Sequence, residues 1–187
     1  MLFVFSAPSG SGKTTIVKEI LKIFPELRFS VSATSRKKRE GETDGKDYFF
    51  LAKNDFEEKI RNNEFIEYEQ VYDNSYYGTL KEQVDACLSD GKSVVFDIDV
   101  KGALSIKRFY GNKSVLIFVN PPDKNVLIER LKNRGTESED DLKKRIERMD
   151  FEFEKIDEFD YVVKNDELST AIEEAKQIIN KYLKEQH

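Results

Sequence analysis

The stretch Leu2 to Phe24, LFVFSAPSGSGKTTIVKEILKIF, decides the fold. LFVFS reads as a buried strand and APSGSGKTT as a turn. Ile16, Val17, Ile20, Leu21 and Phe24 then recur at helical spacing until Pro25 stops the pattern. A strand feeding a helix through a turn with Gly10, Gly12, Lys13, Thr14 and Thr15 is the tail of a phosphate-binding loop, G-x-x-x-x-G-K-[ST]. Glycines let the backbone turn its N–H groups onto phosphate oxygens, and the helix start adds unpaired donors and a positive dipole end. Ala7 stands where the pattern has its first glycine, and Pro8 fixes φ just after it. Ala7, Pro8, Ser9, Gly10, Ser11, Gly12, Lys13, Thr14 and Thr15 are thus the candidate triphosphate cradle. Lys13 is expected at the outer phosphates and the Thr14 hydroxyl on Mg²⁺.

Working outward, strand–helix alternation at both ends of the chain predicts an α/β fold: a three-layer P-loop NTPase core with a parallel sheet. LRFSVS (Leu27 to Ser32) reads as a second strand, Tyr48 to Leu51 as a short one and Glu64 to Val71 as another. Asn54 or Asp55 is expected to cap a helix through Ile60, and Asp73, Asn74 and Ser75 to form a turn. Thr79 and Glu82 suggest a capping box for a helix that Gly91 ends, with Cys87 a small core residue on its apolar face. Ser93 to Asp99 reads as a strand, Val100 to Phe109 as a helix, and Val115 to Val119 as a central parallel strand. Asp123 starts a helix carrying Leu127, and NRGTESEDD breaks it. Leu142, Ile146, Met149 and Phe153 then mark a long helix, Tyr161 to Val163 a last strand, and Leu168 to Leu183 the final helix. The core is expected at about 1–32, 92–124 and 156–187, an inserted lobe at about 33–91 and a helical lid at about 125–155.

Composition narrows the function. The chain has 187 residues, 39% hydrophobic and 36% charged, as expected for one globular domain with an ionised surface. A net charge of -5 argues against nucleic acid as a partner. No apolar run is long enough to span a bilayer and no signal segment is evident, so no membrane is expected and the cytoplasm is the default. One cysteine, Cys87, excludes an internal disulfide, and the one histidine, His187, removes histidine triads and histidine-ligated zinc. Composition leaves monomer and homodimer open.

Three constellations extend the loop. Asp97 and Asp99 end the strand VVFDID, where alternation places both on one face, at the edge of the sheet where ligands bind. They resemble a Walker-B element, with Asp97 reaching Mg²⁺ through water; helix capping is the bland alternative. Arg36 and Arg39, with Lys37 and Lys38 between them, suggest a second anion site, which Tyr48 and Tyr77 can complete. Arg130, Arg134, Arg145 and Arg148 flank the polar break at helical spacing, either as surface charge or as a lid that brings guanidinium groups to a phosphoryl.

Taken together, SAPSGSGK, SVSATSRKKREGETDGKDY, NNEFIEYEQVYDNSYYGT, DIDVKG and RLKNRGTESEDDLKKR resemble guanylate kinase across essentially the whole chain. The resemblance implies phosphorylation of GMP, with dGMP as a second acceptor, by ATP with Mg²⁺. It implies that Ser32, Arg36, Arg39 and Tyr48 contact GMP, that Glu67 and Thr79 read guanine, that Tyr77 adds a phosphate contact and that Asp99 lies by the nucleoside. Arg134 and Arg145 match the lid arginines, catalytic together with Lys13; Arg130 and Arg134 belong to the ATP site, and Asn165 matches a position near the adenine. Glu40 replaces a frequent proline, and the Glu67–Gly78 segment is one residue longer than usual. Of Tyr76 and Tyr77, Tyr77 is chosen because it directly precedes Gly78. Guanine suits a carboxylate unaided, because its N1–H and N2 amine lie side by side and adenine lacks that amine. The competing readings are a non-catalytic protein-interaction module of the same fold and a related P-loop kinase with another acceptor.

Overall fold

The computed structural model describes residues 1–71, 75–123, 127 and 139–184, excluding the side chains of Val71 and residues 139–145. Two sheets organise it. The first is parallel and runs β2 (Arg28–Phe29), β7 (Val94–Asp97), β1 (Leu2–Ser6), β8 (Ser114–Asn120), β9 (Tyr161–Lys164). β1 is its central strand, and the two strands beside it come from much later in the chain. Helices α1 (Lys13–Ile23) and α6 (Leu168–Lys184) cover one face, where Phe3, Phe5, Ile16, Ile20, Ile117 and Ile179 are buried together. Helices α3 (Lys81–Ser89), α4 (Val100–Tyr110) and α5 (Glu139–Glu154) lie on the other side of the chain's apolar alternation, around Leu2, Val4, Phe96, Ile106, Leu116 and Phe118. Odd residues of β1 thus enter one core and even residues the other, which gives three layers. Cys87 packs against the second core, as its helical face implies.

The second sheet lies between β2 and β7 in sequence. It is β4 (Phe49–Phe50), β3 (Ala33–Thr34), β6 (Ser75–Leu80), β5 (Phe65–Val71), with α2 (Lys53–Arg61) packed against it through Phe56. Phe56 stacks between Phe65 and Tyr76, at centroid distances of 4.3 and 5.4 Å, so this lobe has a small aromatic core of its own.

Four local expectations are corrected. LRFSVS is not one strand: only Arg28 and Phe29 pair, both exposed on the sheet edge, and the chain then crosses to the second sheet at Ala33. Thr79 is not a capping residue. The β5–β6 pairing continues to Leu80, which is itself the N-cap of α3, and no side chain caps that helix. Neither Asn54 nor Asp55 caps α2; both lie inside it, and Ala52 is the N-cap. The strand in VVFDID stops at Asp97, and Asp99 turns out to be the N-cap of α4, accepting from Gly102 N–H at 2.7 Å. The turn at Asp73 and Asn74 and the helix expected from Asp123 fall on residues outside those described, apart from Leu127, which packs against Met149.

Candidate active site

Parallel register builds the first half of the site. Phe5 lies opposite Asp97 across β1 and β7, so the loop leaving β1 and the acid ending β7 emerge side by side. β7 and β8 flank β1 on opposite sides, and such a switch point opens a crevice at the carboxyl ends of the strands. Here the crevice is a cleft of about 610 Å³ lined by residues 7–15, Asp97, Asp99, Arg148, Met149 and Glu152. Gly10 and Gly12 take φ of 86° and 89°, a backbone that side chains resist. Gly12 is the N-cap of α1 and no side chain caps the helix, so its first amides face the cleft as an anion site. Lys13 pairs with Asp97 at 2.8 Å, and its Nζ also donates to the Ile98 carbonyl. The Thr14 hydroxyl donates to the same Asp97 carboxylate at 2.6 Å.

Asn165 closes the loop from behind. Its Nδ2 donates to the Ser11 carbonyl at 2.6 Å, and its own N–H donates to the Asn120 carbonyl at the end of β8. A Cβ on Gly12 would meet Asn165 Nδ2 at 2.5 Å, so a side chain there would push Asn165 off the Ser11 carbonyl as well as strain the φ.

The lobe supplies the second half. Arg36 donates to both oxygens of Glu42, at 2.9 and 2.7 Å, and its Nε donates to the Tyr77 hydroxyl at 3.1 Å. Its guanidinium lies 5.3 Å from the centre of the Tyr48 ring. Those hydrogen bonds hold the Glu42 carboxyl down at about 2. Arg36, Tyr48 and Tyr77 therefore converge, while Arg39 is exposed and meets Glu42 through its backbone N–H at 2.7 Å. Alternation along β6 sends Tyr76 into the aromatic core and Tyr77 to Arg36.

Glu67 sits deeper. Its Oε1 accepts from the Thr79 hydroxyl at 2.7 Å, and an irregularity in β5 between Phe65 and Glu67 brings its backbone close to Gly78. A Cβ on Gly78 would come within 2.7 Å of the Glu67 carbonyl. Antiparallel register sets Ala33 opposite Gly78, which brings Ser32 alongside Thr79. Across from the lobe, Gly102 lets the first turn of α4 approach; a Cβ there would lie 3.4 Å from the Glu67 carboxyl carbon. Burial, reinforced by Asp99 and Glu69, raises the Glu67 carboxyl to about 7.

Sequence reasoning missed three residues at this junction and undervalued a fourth. Glu42 was visible in R-x-x-R-x-G-E but had no role. Glu69 carried no local signal, and the only signal for Glu152 was its i,i+4 spacing from Arg148. Arg148 was one of four arginines left open between surface charge and lid, and its guanidinium binds Glu69 at 3.0 Å, Glu152 at 3.5 Å and Asp99. Arg130 and Arg134 lie outside the described residues; Arg145 lies on α5 and its side chain is outside the description.

A glycine-rich loop between strand and helix, its lysine and threonine meeting an acid on the neighbouring strand, and a lobe with its own anion grip define a P-loop kinase of small phosphorylated acceptors. The family model described as guanylate kinase matches residues 1–182. The guanylate kinase of Chlorobium chlorochromatii (strain CaD3) is 47% identical over 182 residues, covering 97% of this chain and 95% of that one. That of Salinibacter ruber (strain DSM 13855 / M31) is 44% identical over 97% of this chain and 96% of its own length. The crystal structure of guanylate kinase from Anaplasma phagocytophilum superposes with a TM-score of 0.73 at 28% identity, over 100% of this chain and 86% of that one. The chain belongs to the guanylate kinase family.

Proposed function

We propose that this chain transfers the terminal phosphoryl group of ATP to GMP, giving GDP and ADP, with dGMP as a second acceptor. The observation that carries the acceptor is the partly buried Glu67 carboxylate beside Thr79, within the lobe and against the first turn of α4. Two adjacent donors on guanine suit one carboxylate, and adenine lacks both the N2 amine and a hydrogen on N1. Ser32 and Thr79 flank the base, Asp99 lies by the nucleoside, and Arg36, Arg39, Tyr48 and Tyr77 hold the phosphate. Arg36 reaches that phosphate already oriented by Glu42 and Tyr77.

On the donor side, residues 7–15 cradle the ATP phosphates, Lys13 exchanges Asp97 for the outer phosphates, and Asn165 fixes the loop near the adenine. Arg130 and Arg134 complete the ATP site, and Arg134 and Arg145 neutralise the transferring group. The donor set fits Mg²⁺: a hydroxyl and a carboxylate converge at 2.6 Å, and no group of three acidic, histidine or cysteine side chains placed to hold a metal ion occurs among the described residues. That ion keeps most of its shell as water and phosphate oxygen, so Thr14 directly and Asp97 through water suffice. When bound it supplies charge neutralisation at the phosphates.

The attacking phosphate oxygen is already ionised, so no general base is required. Positioning and electrostatics carry the rate. Water is excluded when the lobe, about 33–91, and the lid, about 125–155, close over the core. No described helix is long and apolar enough to cross a membrane, and the cytoplasm is the proposed location, with monomer and homodimer both compatible with the site. Coupled ADP release with GMP, dGMP, AMP, CMP and UMP tests the reading. GMP and dGMP should turn over and the others should not. Turnover with none would leave a protein-interaction module, and turnover with AMP would remove Glu67 as the base reader.

A further inference from the structure

Four carboxylates and two cations meet where the lobe touches the core. Glu67 and Glu69 come from β5, Asp99 and Lys101 from the start of α4, and Arg148 and Glu152 from α5; β6 contributes the Thr79 hydroxyl. Lys101 reaches Glu69 at 3.6 Å and is largely exposed. Arg148 alone contacts three of the acids, and it binds both Asp99 and Glu69. Those two are the carboxylates whose charge acts on Glu67. Asp99 is fixed at its other oxygen by the Gly102 N–H, so its charge cannot swing away when it loses a partner.

An exposed ion pair on a lid helix ordinarily contributes little. This one differs in what it neutralises. A carboxyl group can accept from both guanine donors at once only when charged, and each unpaired acid nearby opposes that charge. Arg148 converts two such acids into ion pairs, whose fields fall off faster than those of bare charges. We propose that Arg148 is a positioning residue which, by binding Asp99 and Glu69, keeps the neighbouring Glu67 carboxylate charged and so sets the affinity for GMP near neutral pH. The inference rests on the reading of Glu67 as the guanine-contacting group. It also joins the lid helix to the acceptor lobe by charge, so that the lid influences base recognition without touching the base.

Two measurements on Arg148→Met test it. The carboxyl-carbon resonance of Glu67, assigned by its loss in Glu67→Gln, is titrated in the nucleotide-free protein. Its midpoint, about 7 in the parent, should rise by about one pH unit. Calorimetric GMP affinity should then fall about fivefold at pH 7 and less than twofold at pH 8.5, because a one-unit rise changes the charged fraction mainly below pH 8. The GMP phosphate is almost fully ionised at both pH values, so it does not contribute to the difference. Turnover at saturating substrates should stay within about twofold, and Arg148→Lys, which keeps the charge but not the planar fork, should move the midpoint back toward the parent value. If the Met variant is unstable, Arg148→Gln removes the same charge and is read in the same way. An unmoved Glu67 midpoint overturns the proposal. So does a collapse of turnover with GMP affinity intact, which would assign Arg148 to the transferring phosphoryl. Unchanged GMP affinity in Glu67→Gln overturns the guanine reading instead, whatever Arg148 does to the titration.

Discussion

The phosphate loop and the lobe draw their chemistry from different places. The loop is nearly contiguous: nine residues, with Asp97 brought in by one strand pairing and Asn165 by another. Its attraction for anions comes from backbone amides, a helix start and one lysine, and its local charge is balanced by a single carboxylate. The acceptor side is assembled from β5, β6, α4 and α5, and acids outnumber cations there. Its selectivity comes from a partly buried side-chain charge whose state depends on its neighbours. The donor half is therefore robust to pH and sensitive to backbone geometry. The acceptor half is the reverse.

Lys13→Ala attacks the donor half and carries the largest expected effect. The fold should survive, since Lys13 contributes a partly exposed ion pair and no core packing. Turnover should fall at least about 10³-fold, because phosphoryl transfer depends on neutralising charge at the outer phosphates. Rate with saturating ATP and GMP, beside a melting curve, checks both halves of that statement. A folded variant at near-parental rate would falsify the role given to Lys13.

Glu67→Gln attacks the acceptor half. An amide accepts at one atom only, and loss of a charged hydrogen bond is worth about 1.5–3 kcal/mol, so GMP affinity should fall roughly 10- to 150-fold. ATP affinity should hardly change. Equal losses for both nucleotides would erase the contrast and make Glu67 structural.

These two residues were legible from sequence, and the reasons differ from those that hid the rest. The loop follows a local pattern that physics imposes on any strand–turn–helix phosphate site. The three-layer core was readable because β1 and β8 are short apolar runs between helical stripes. LRFSVS misled because an edge strand of two residues and the start of another sheet look like one alternating run. Thr79 misled because a strand-terminal threonine before Glu82 satisfies a capping pattern, while its hydroxyl is committed to Glu67. Glu69 and Asp99 had no local signature as partners of Arg148, since sequence separations of 79 and 49 residues join them, whereas Glu152 lies one helical turn from Arg148 and the i,i+4 spacing could have paired them.

Gly78→Ala probes backbone geometry in the lobe, where the comparison makes it secondary. A methyl group would press on the Glu67 carbonyl and the Phe65 ring. Relief requires β5 and β6 to separate, at about 1–3 kcal/mol of stability. GMP affinity should fall with it and ATP affinity should not. Hydrogen exchange across β5 and β6 would report the loosening, and unchanged protection there would show that the irregularity in β5 absorbs the extra carbon.

Glu152→Gln separates charge from packing at the junction and has the smallest expected effect. Glu152 is 6% exposed, and burial, partly offset by Arg148, raises its carboxyl to about 7. In the unfolded chain the same group titrates at 4.5. Between those values the native state holds more protons than the unfolded state, so stability from this group falls as pH rises through the window. Below about 4.5 both states are protonated and the group is neutral to stability; above about 7 the full penalty applies. Glutamine occupies the same volume without a charge, so it removes that dependence. At pH 4, where the carboxyl is largely protonated in both the native and the unfolded state, parent and variant should melt together. At pH 8 the variant should be more stable by about 1–2 kcal/mol, equivalent to roughly 2–8 °C for a domain of this size. The gain is smaller than the whole linkage because Arg148 then loses one acceptor while keeping Asp99 and Glu69. Urea melts at the two pH values decide it. A variant less stable at pH 8 would mean that the ionised Glu152–Arg148 pair stabilises the fold on balance, and that the acid excess of the acceptor side is better compensated than its burial implies.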